Sequence, residues 1–388
     1  MRLNILDSTR GIFAVMVVFL HMTNQSHILY FRFIRNSDIF VEFFFVLSGF
    51  VIALSADGRV GDVRTAAAFL IRRIGRIAPL NIAMLTAFVF MILVKSAARH
   101  SGVFSAAEDY KSSEIIPFII ENALLVQNFR NETVVWLNFP SWSISAELWA
   151  YVLFAVFCIA PQRYFPWLAA VALSLSFLVL QQVFDPGFGH FTDMGLYRGI
   201  CHFFVGYFAY LVWKRVEKKH LPAASFVEIA LVISIILTTI LSDIYAVNTF
   251  APLIFAIAII VFSFQSGFIS RILRGRFFRD LGDWSYSIYM VHAFVLSVSG
   301  VIVRVLEREL HASFYSPSGI DSVKAMLIDF GNPYAMDIFS VFLVVVVILI
   351  SRVTYRFIEL PGRAYFKTLS NRLLIFWQKQ QTSVLGFR

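Results

Sequence analysis

Arg10 and His21 lie eleven positions apart in one apolar stretch, LDSTRGIFAVMVVFLH (residues 6–21). A helix turns 100° and rises about 1.5 Å per residue, so His21 returns to within roughly 20° of the face of Arg10, about 16 Å further along the axis. A span over 9–27 would hold Arg10 near one membrane face and His21 past the midplane. Ionisable residues inside a span are costly and mark functional sites by default. An imidazole takes and returns a proton near neutral pH, which suits a general base; a histidine bonded between helices for packing is the plainer alternative. A guanidinium needs an anion. Asp7, three residues earlier, supplies one within the helix, and a phosphate arriving from the cytoplasm is the functional alternative.

Four further segments carry polar residues in apolar surroundings. In VEFFFVLSGFVIALS (41–55), Glu42 falls near the outer end of a span, at a depth comparable to His21. It could orient the imidazole, or snorkel to the outer surface. Ser48-Gly49 suits close helix packing better than nucleophilic chemistry. In FLIRRIGRIAPL (69–80), Arg73 and Arg76 share a helix face and form a natural clamp for phosphate groups, with Arg72 beside them. Without Arg10 they would read as ordinary basic flanks of a span. In PSWSISAELWAYVLF (140–154), Glu147 sits one turn into a span that starts outside, placed to bind a sugar hydroxyl, tune His21 or snorkel outward. In LGDWSYSIYMVHAFV (281–295), Ser285, Tyr286, Ser287 and Tyr289 give a polar helix face suited to interhelical hydrogen bonds, with His292 mid-span. Arg198 and His202 form a lesser pair, and Glu359 in YRFIELPGR (355–363) is placed to tie down inner arginines at a helix end stopped by Pro361.

The elements that must position these groups are membrane helices. Hydrophobic residues are 59% of the chain and charged residues 15%, where a soluble domain has about 25% charged. Apolar windows of about 20 residues, enough to cross a bilayer, recur along the whole length. They predict an all-α polytopic bundle of ten spans: 9–27, 39–56, 76–96, 143–160, 165–183, 196–213, 224–242, 248–265, 284–303 and 337–355. With both termini in the cytoplasm, the inner segments hold 23 of the 33 Lys and Arg residues, the positive-inside bias. The net charge of +9 thus reads as topology and contact with anionic lipid; basic residues dispersed over several loops do not suggest nucleic acid. The first segment lacks the small residues of a cleavage site and reads as a mature helix.

Cys158 and Cys201 fall at different depths, which excludes a disulfide framework, and no metal-ligand spacing occurs. The stretch 115–129 reads as a helix at the outer interface or re-entering the protein. A second long outer loop covers 304–336. Residues 1–365 form one membrane domain. Residues 366–388, mixing Leu, Phe and Trp with Arg and Lys, read as an amphipathic tail on the inner surface.

In this order and at these depths, the segments resemble the acyltransferase-3 family of bacterial membrane proteins. That family typically reads LDGLRGIAALLVVLYH, GVDLFFVLSGFLI, RRxxRIxP, WSLxxE, LGxxSYxxYLxH and IExP, and the match runs from about residue 6 to 365. The family's Arg–ten–His pair falls on Arg10 and His21, its RxxR on Arg73 and Arg76, its WS…E glutamate on Glu147. Its acidic residue before FFVLSGF is Glu42 here, in place of the commoner Asp, and LDST stands for LDGL. Some relatives carry an extra extracytoplasmic hydrolase-like domain at the C-terminus. The chain ends about twenty residues after its last motif, so none is expected.

The resemblance implies a multi-pass enzyme of the bacterial plasma (inner) membrane. It would move an acyl group, usually acetyl, from cytoplasmic acyl-CoA to a hydroxyl of an extracytoplasmic or lipid-linked carbohydrate such as exopolysaccharide or O-antigen. Arg73 and Arg76 would hold the donor's phosphates while its thin arm passes Arg10, and His21 would deprotonate the sugar hydroxyl for direct attack on the thioester. Glu42 and Glu147 would support it, with no metal. Two other classes fit the composition: a transporter or flippase of glycolipid or polysaccharide without acyl transfer, and a structural partner in a polysaccharide-synthesis complex.

Overall fold

The computed structural model of the chain describes residues 3–97, 112–129, 137–183, 194–317 and 326–385. Arg99, Lys111, Arg130 and Lys324, four of the outer basic residues, lie outside them, as do 98–111 and 130–136 of the first outer stretch and 318–325 of the second. The fold is an all-α bundle. In chain order the helices are α1 (Asn4–Leu20), the one-turn α2 (His27–Tyr30) and α3 (Arg32–Arg35), α4 (Phe40–Ala56), α5 (Val63–Ala97), α6 (Ser112–Leu124), α7 (Ser141–Ile159) and α8 (Phe165–Val183). Then come α9 (Gly195–Val216), α10 (Ala224–Ile240), α11 (Tyr245–Ser263), the short α12 (Phe268–Leu273), α13 (Arg276–Glu309), α14 (Pro333–Thr354) and α15 (Leu360–Leu385). Strands β1 (Tyr315–Pro317) and β2 (Met326–Ile328) form an antiparallel hairpin, Tyr315 opposite Ile328.

A helix stands at each of the ten expected spans. Among the described residues, seven helices are long and apolar enough to cross a membrane. The other three fall short: α1 and α10 have 17 residues each, and α9 carries Arg198, His202, Lys214 and Arg215. The loops nevertheless sort into two ends. At the end holding the N-terminus, Ser8 donates to the carbonyl of Leu273 at 2.8 Å, Lys214 and Tyr210 donate to Asp57, and Glu228 caps the first turn of α12 through the amides of Gly267 and Ser270. At the other end, Arg32 meets Asp243, Ser26 and His27 meet Asp337, and Gln25 and Thr23 pair with Ile328 of the hairpin. No contact in this set joins one end to the other, as alternating helices require.

Two expectations about helix ends are corrected. The first helix ends at Leu20, so the 9–27 window is displaced toward the N-terminus and His21 caps the helix instead of lying inside it. The polar run from Thr23 to Ser26 leaves the helix because it bonds outward: Asn24 to Ser340, Ser26 to Asp337 and Gln25 to the hairpin. Pro361 does not stop the last helix. A π-helical turn, Tyr355–Glu359, links α14 to α15 without a break, and Pro361 follows directly on that wider turn, which accommodates a residue lacking an amide. The expected surface tail is also helical to Leu385, and its first turns pack on α5: a Cβ on Gly75 would lie 2.1 Å from Phe366, and Arg72 donates to Ser370.

Two helix crossings carry the architecture. Between α4 and α9, a Cβ on Gly49 would lie 1.8 Å from the carbonyl oxygen of Phe203, and one on Gly206 1.9 Å from that of Val46, so the backbones touch through paired glycines. Between α1 and α13, a Cβ on Gly11 would lie 2.5 Å from the carbonyl carbon of Leu281, and one on Gly282 2.4 Å from the carbonyl oxygen of Asp7. These two helices run parallel, side by side from the same end.

Candidate active site

Parallel packing of α1 and α13 sets the site. Gly11 stands ten residues before His21, and Gly282 ten before His292. Two parallel helices in contact at the glycines rise equally, about 15 Å over ten residues, and so bring the histidines level. The imidazole centroids of His21 and His292 are 5.1 Å apart, and Phe139 closes on His21 at 4.7 Å, edge to face. Nδ1 of His21 lies 2.9 Å from the carbonyl oxygen of Val17. A carbonyl only accepts, so Nδ1 carries the proton and Nε2 keeps its lone pair, the tautomer a base needs. His292 is fully buried, and neither of its ring nitrogens makes a hydrogen bond of normal geometry.

A turn and more below the histidines lies a cavity with ≈ 70 Å³ of water-accessible space. At about 10–15 Å³ per water on that measure it holds a handful of waters. Arg10, Arg73, Arg76, Glu147, Tyr151 and Tyr289 are among its walls. Arg73 and Arg76 face it together, as their spacing on α5 predicts, while Arg72 turns to α15. Nη2 of Arg73 donates to Ser55 at 3.0 Å, its guanidinium lies 5.2 Å from the Phe69 ring centroid, and its Nε is buried without a partner. Arg10 is 3.9 Å from Asp7, the intrahelical anion its spacing suggests. Arg76 is within electrostatic reach of Glu147, Tyr151 and Glu359. Around the π turn, buried Glu359 accepts from Ser287 at 2.7 Å and from Arg363. The cavity walls thus carry three guanidiniums (Arg10, Arg73, Arg76) and one carboxylate (Glu147), an imbalance that favours an anion.

Helix α13 is the hub between cavity and histidines. Tyr286 donates to the carbonyl of Ile77 at 2.6 Å, Ser287 binds Glu359, and the Tyr289 hydroxyl accepts from Ser143 at 2.9 Å. The expected interhelical role of this polar face is met. Tyr289 lines the cavity, and its ring lies 5.7 Å from that of His292. The order along α13 is cavity, Tyr289, His292, with His21 level with His292 at the end of α1.

Two sequence candidates are placed otherwise than expected. Glu147 does not share the depth of His21. It lines the arginine cavity, where Ser48 donates to it at 2.6 Å and Tyr151, one turn on, also donates to it. Glu42 does not orient His21. Its carboxylate is buried between helices and receives Arg198 and His202, which lie four apart on one face of α9. Arg198 in turn lies 5.2 Å from the Trp142 ring centroid. This triad clamps α4 to α9. Sequence reasoning ranked His292 below both glutamates, yet it is the group beside His21; the repeated glycine–ten–histidine spacing was the available signal.

The family profile of the acyltransferase-3 acyltransferase domain matches residues 3–356. The chain belongs to the acyltransferase-3 family. It is a multi-pass membrane acyltransferase. No curated protein and no solved structure matches it.

Proposed function

We propose that the chain transfers an acyl group, most simply acetyl, from acyl-CoA to a hydroxyl of an extracytoplasmic or lipid-linked carbohydrate, at the plasma membrane of a bacterium. The observation that carries this reading is the cavity in which Arg10, Arg73 and Arg76 converge on the same helix that ends at His21. The end holding the N-terminus faces the cytoplasm, as the basic bias of the loops argues. The donor's phosphates rest on the arginines there, and its uncharged arm follows the cavity toward Tyr289. Glu147 acts as a counter-charge that keeps the arginines ordered between turnovers, a different role from the hydroxyl-binding one its sequence position suggested.

At the far end of α1, Nε2 of His21 removes the proton of the acceptor hydroxyl as the oxygen attacks the thioester carbonyl. The Val17 carbonyl holds the ring and becomes a stronger partner as the imidazolium forms. Of the serines lining the cavity, Ser48 binds Glu147, Ser143 binds Tyr289, and Ser285 stands seven residues before His292 on α13, about two turns away. Direct transfer is therefore favoured over an acyl-enzyme. The test is purified protein in sealed lipid vesicles with radiolabelled acetyl-CoA and a cell-envelope glycan fraction. Label appearing in glycan, with free thiol released in equal amount, is the expected result. Glycan that crosses the bilayer unlabelled, with acetyl-CoA intact, would instead mark a flippase.

A further inference from the structure

We propose that His292 is a proton relay that carries the proton taken by His21 to the thiolate leaving from the donor cavity. The proposal rests on the acyl-transfer reading and adds a residue to it. His292 is completely buried, lies 5.1 Å from His21 between ring centroids, and stands one turn beyond Tyr289, the cavity's wall. It therefore stands beside the base and one turn from the wall of the cavity that, on the acyl-transfer reading, delivers the thioester. Neither ring nitrogen bonds to a neighbouring helix: only backbone groups of its own helix, at Ile288 and Tyr289, come near, and no full hydrogen bond forms. Buried polar atoms are bonded in the great majority of cases, and a histidine retained for packing would spend at least one nitrogen on a neighbour. A relay must keep both, one lone pair to receive and one N–H to give.

The step balances as follows. The acceptor O–H bond breaks, its proton goes to Nε2 of His21, and the oxygen forms a bond to the thioester carbonyl carbon. The C–S bond then breaks and its electron pair leaves on sulfur. The His21 imidazolium gives its new proton to the unprotonated nitrogen of His292, while the opposite nitrogen of His292 gives its own proton to the thiolate. The products are an ester and a free thiol, His21 is back in its starting form, and a flip of the His292 ring restores the second. Tyr289 is held aside by its bond with Ser143, so it borders this route without spending a bond on His292.

The test compares two donors in membrane vesicles from the cells that make the protein, with radiolabel followed into their own glycan. Acetyl-CoA has a poor leaving thiol that needs a proton. Phenyl thioacetate has an acidic one that does not. His292→Gln and His292→Leu should lose at least about 100-fold in turnover with acetyl-CoA, the usual scale of acid–base catalysis, and stay within about threefold with phenyl thioacetate. Their donor KM should not move. His21→Ala should lose both donors. Equal losses with both donors would reduce His292 to a structural residue, and no loss with either would also overturn the relay. If neither variant folds, the wild-type protein decides: across thioacetates of increasingly acidic thiol its rate should change little, and a steep rise would overturn the relay. Wild-type vesicles that incorporate no label from either donor would instead refute the acyl-transfer reading itself.

Discussion

At the scale of single residues the proposed reaction divides between two ends of one helix. His21→Ala should abolish transfer, a loss of at least about 10²-fold if it is the base, and leave the protein folded, since the ring's one normal bond is to its own helix at Val17. Acylated glycan at the wild-type level in cells carrying that variant would remove His21 from the chemistry. Arg73→Ala and Arg76→Ala should each weaken donor binding and leave acceptor KM unchanged. A charge-assisted hydrogen bond is worth about 1.5–3 kcal/mol, so the donor Kd should rise by about tenfold or more. Calorimetry with coenzyme A reads it directly, and an unchanged Kd would leave these arginines as topology signals. The sequence alone revealed which residues were costly to bury, because Arg10, His21 and the Arg73–Arg76 pair stand against apolar neighbours. It did not reveal whom they meet. Glu42 and Glu147 looked equivalent, each a carboxylate near the start of an inward-running span. Only the packing of α9 on α4 gives one to Arg198 and His202 and leaves the other to the arginine cavity.

At the scale of elements, α4 and α9 are joined in three layers. The Glu42–Arg198–His202 triad lies at one end, the facing glycines Gly49 and Gly206 in the middle, and Asp57 with Tyr210 and Lys214 at the other end. Gly206→Ala would drive a methyl into the Val46 carbonyl, backbone that cannot step aside. It should cost about 1–3 kcal/mol or more, visible as a lower melting temperature in detergent. Gly300→Ala in α13 is the control, because nothing lies within 4 Å of its Cβ. There alanine should be neutral or stabilise by up to about 1 kcal/mol, the difference in helix propensity. Equal losses at both sites would dismiss the glycine contact. The third layer carries a pH dependence. Hydrogen bonds from Lys214 and Tyr210 hold the Asp57 carboxyl below its ordinary value of 3.8. A depressed carboxyl contributes its stability above that ordinary value and loses it as pH falls through the lower folded one. The pair is half-exposed (51% and 44%), so solvent screens it and the contribution is about 0.2–1 kcal/mol. Asp57→Asn should therefore lower the melting temperature slightly at pH 7 and leave it unchanged near pH 2. A loss that persists undiminished at pH 2 would show that the contact is not ionic.

At the scale of the whole molecule, the helices were legible from hydropathy because a span must be apolar wherever it meets lipid. Their ends were less so. The first helix stops at Leu20 because residues 23–26 find partners on α14 and on a hairpin some 300 positions away, and no local pattern encodes such distant bonds. The last helix continues past Pro361 because a π turn absorbs the missing amide. Sidedness is where charge and geometry can be tested together. The structure groups Asp57 with Lys214 and Ser8 with Leu273 at one end, and Arg32 with Asp243 and His27 with Asp337 at the other. The basic bias puts the first group in the cytoplasm. With Cys158 and Cys201 replaced, single cysteines at Arg64, Lys218 and Arg274 should resist a membrane-impermeant thiol reagent added to intact cells and react after lysis. Cysteines at Asp243 and Ser313 should react in intact cells. Outside labelling at some but not all of the first three would break the alternation. A complete reversal of all five would keep the fold and invert it, leaving the arginine cavity open to a compartment without acyl-CoA. The measurement thus separates an error in helix count, which scatters the labels, from an error in orientation, which reverses them. Only the expected pattern allows donor and acceptor to approach His21 from opposite sides.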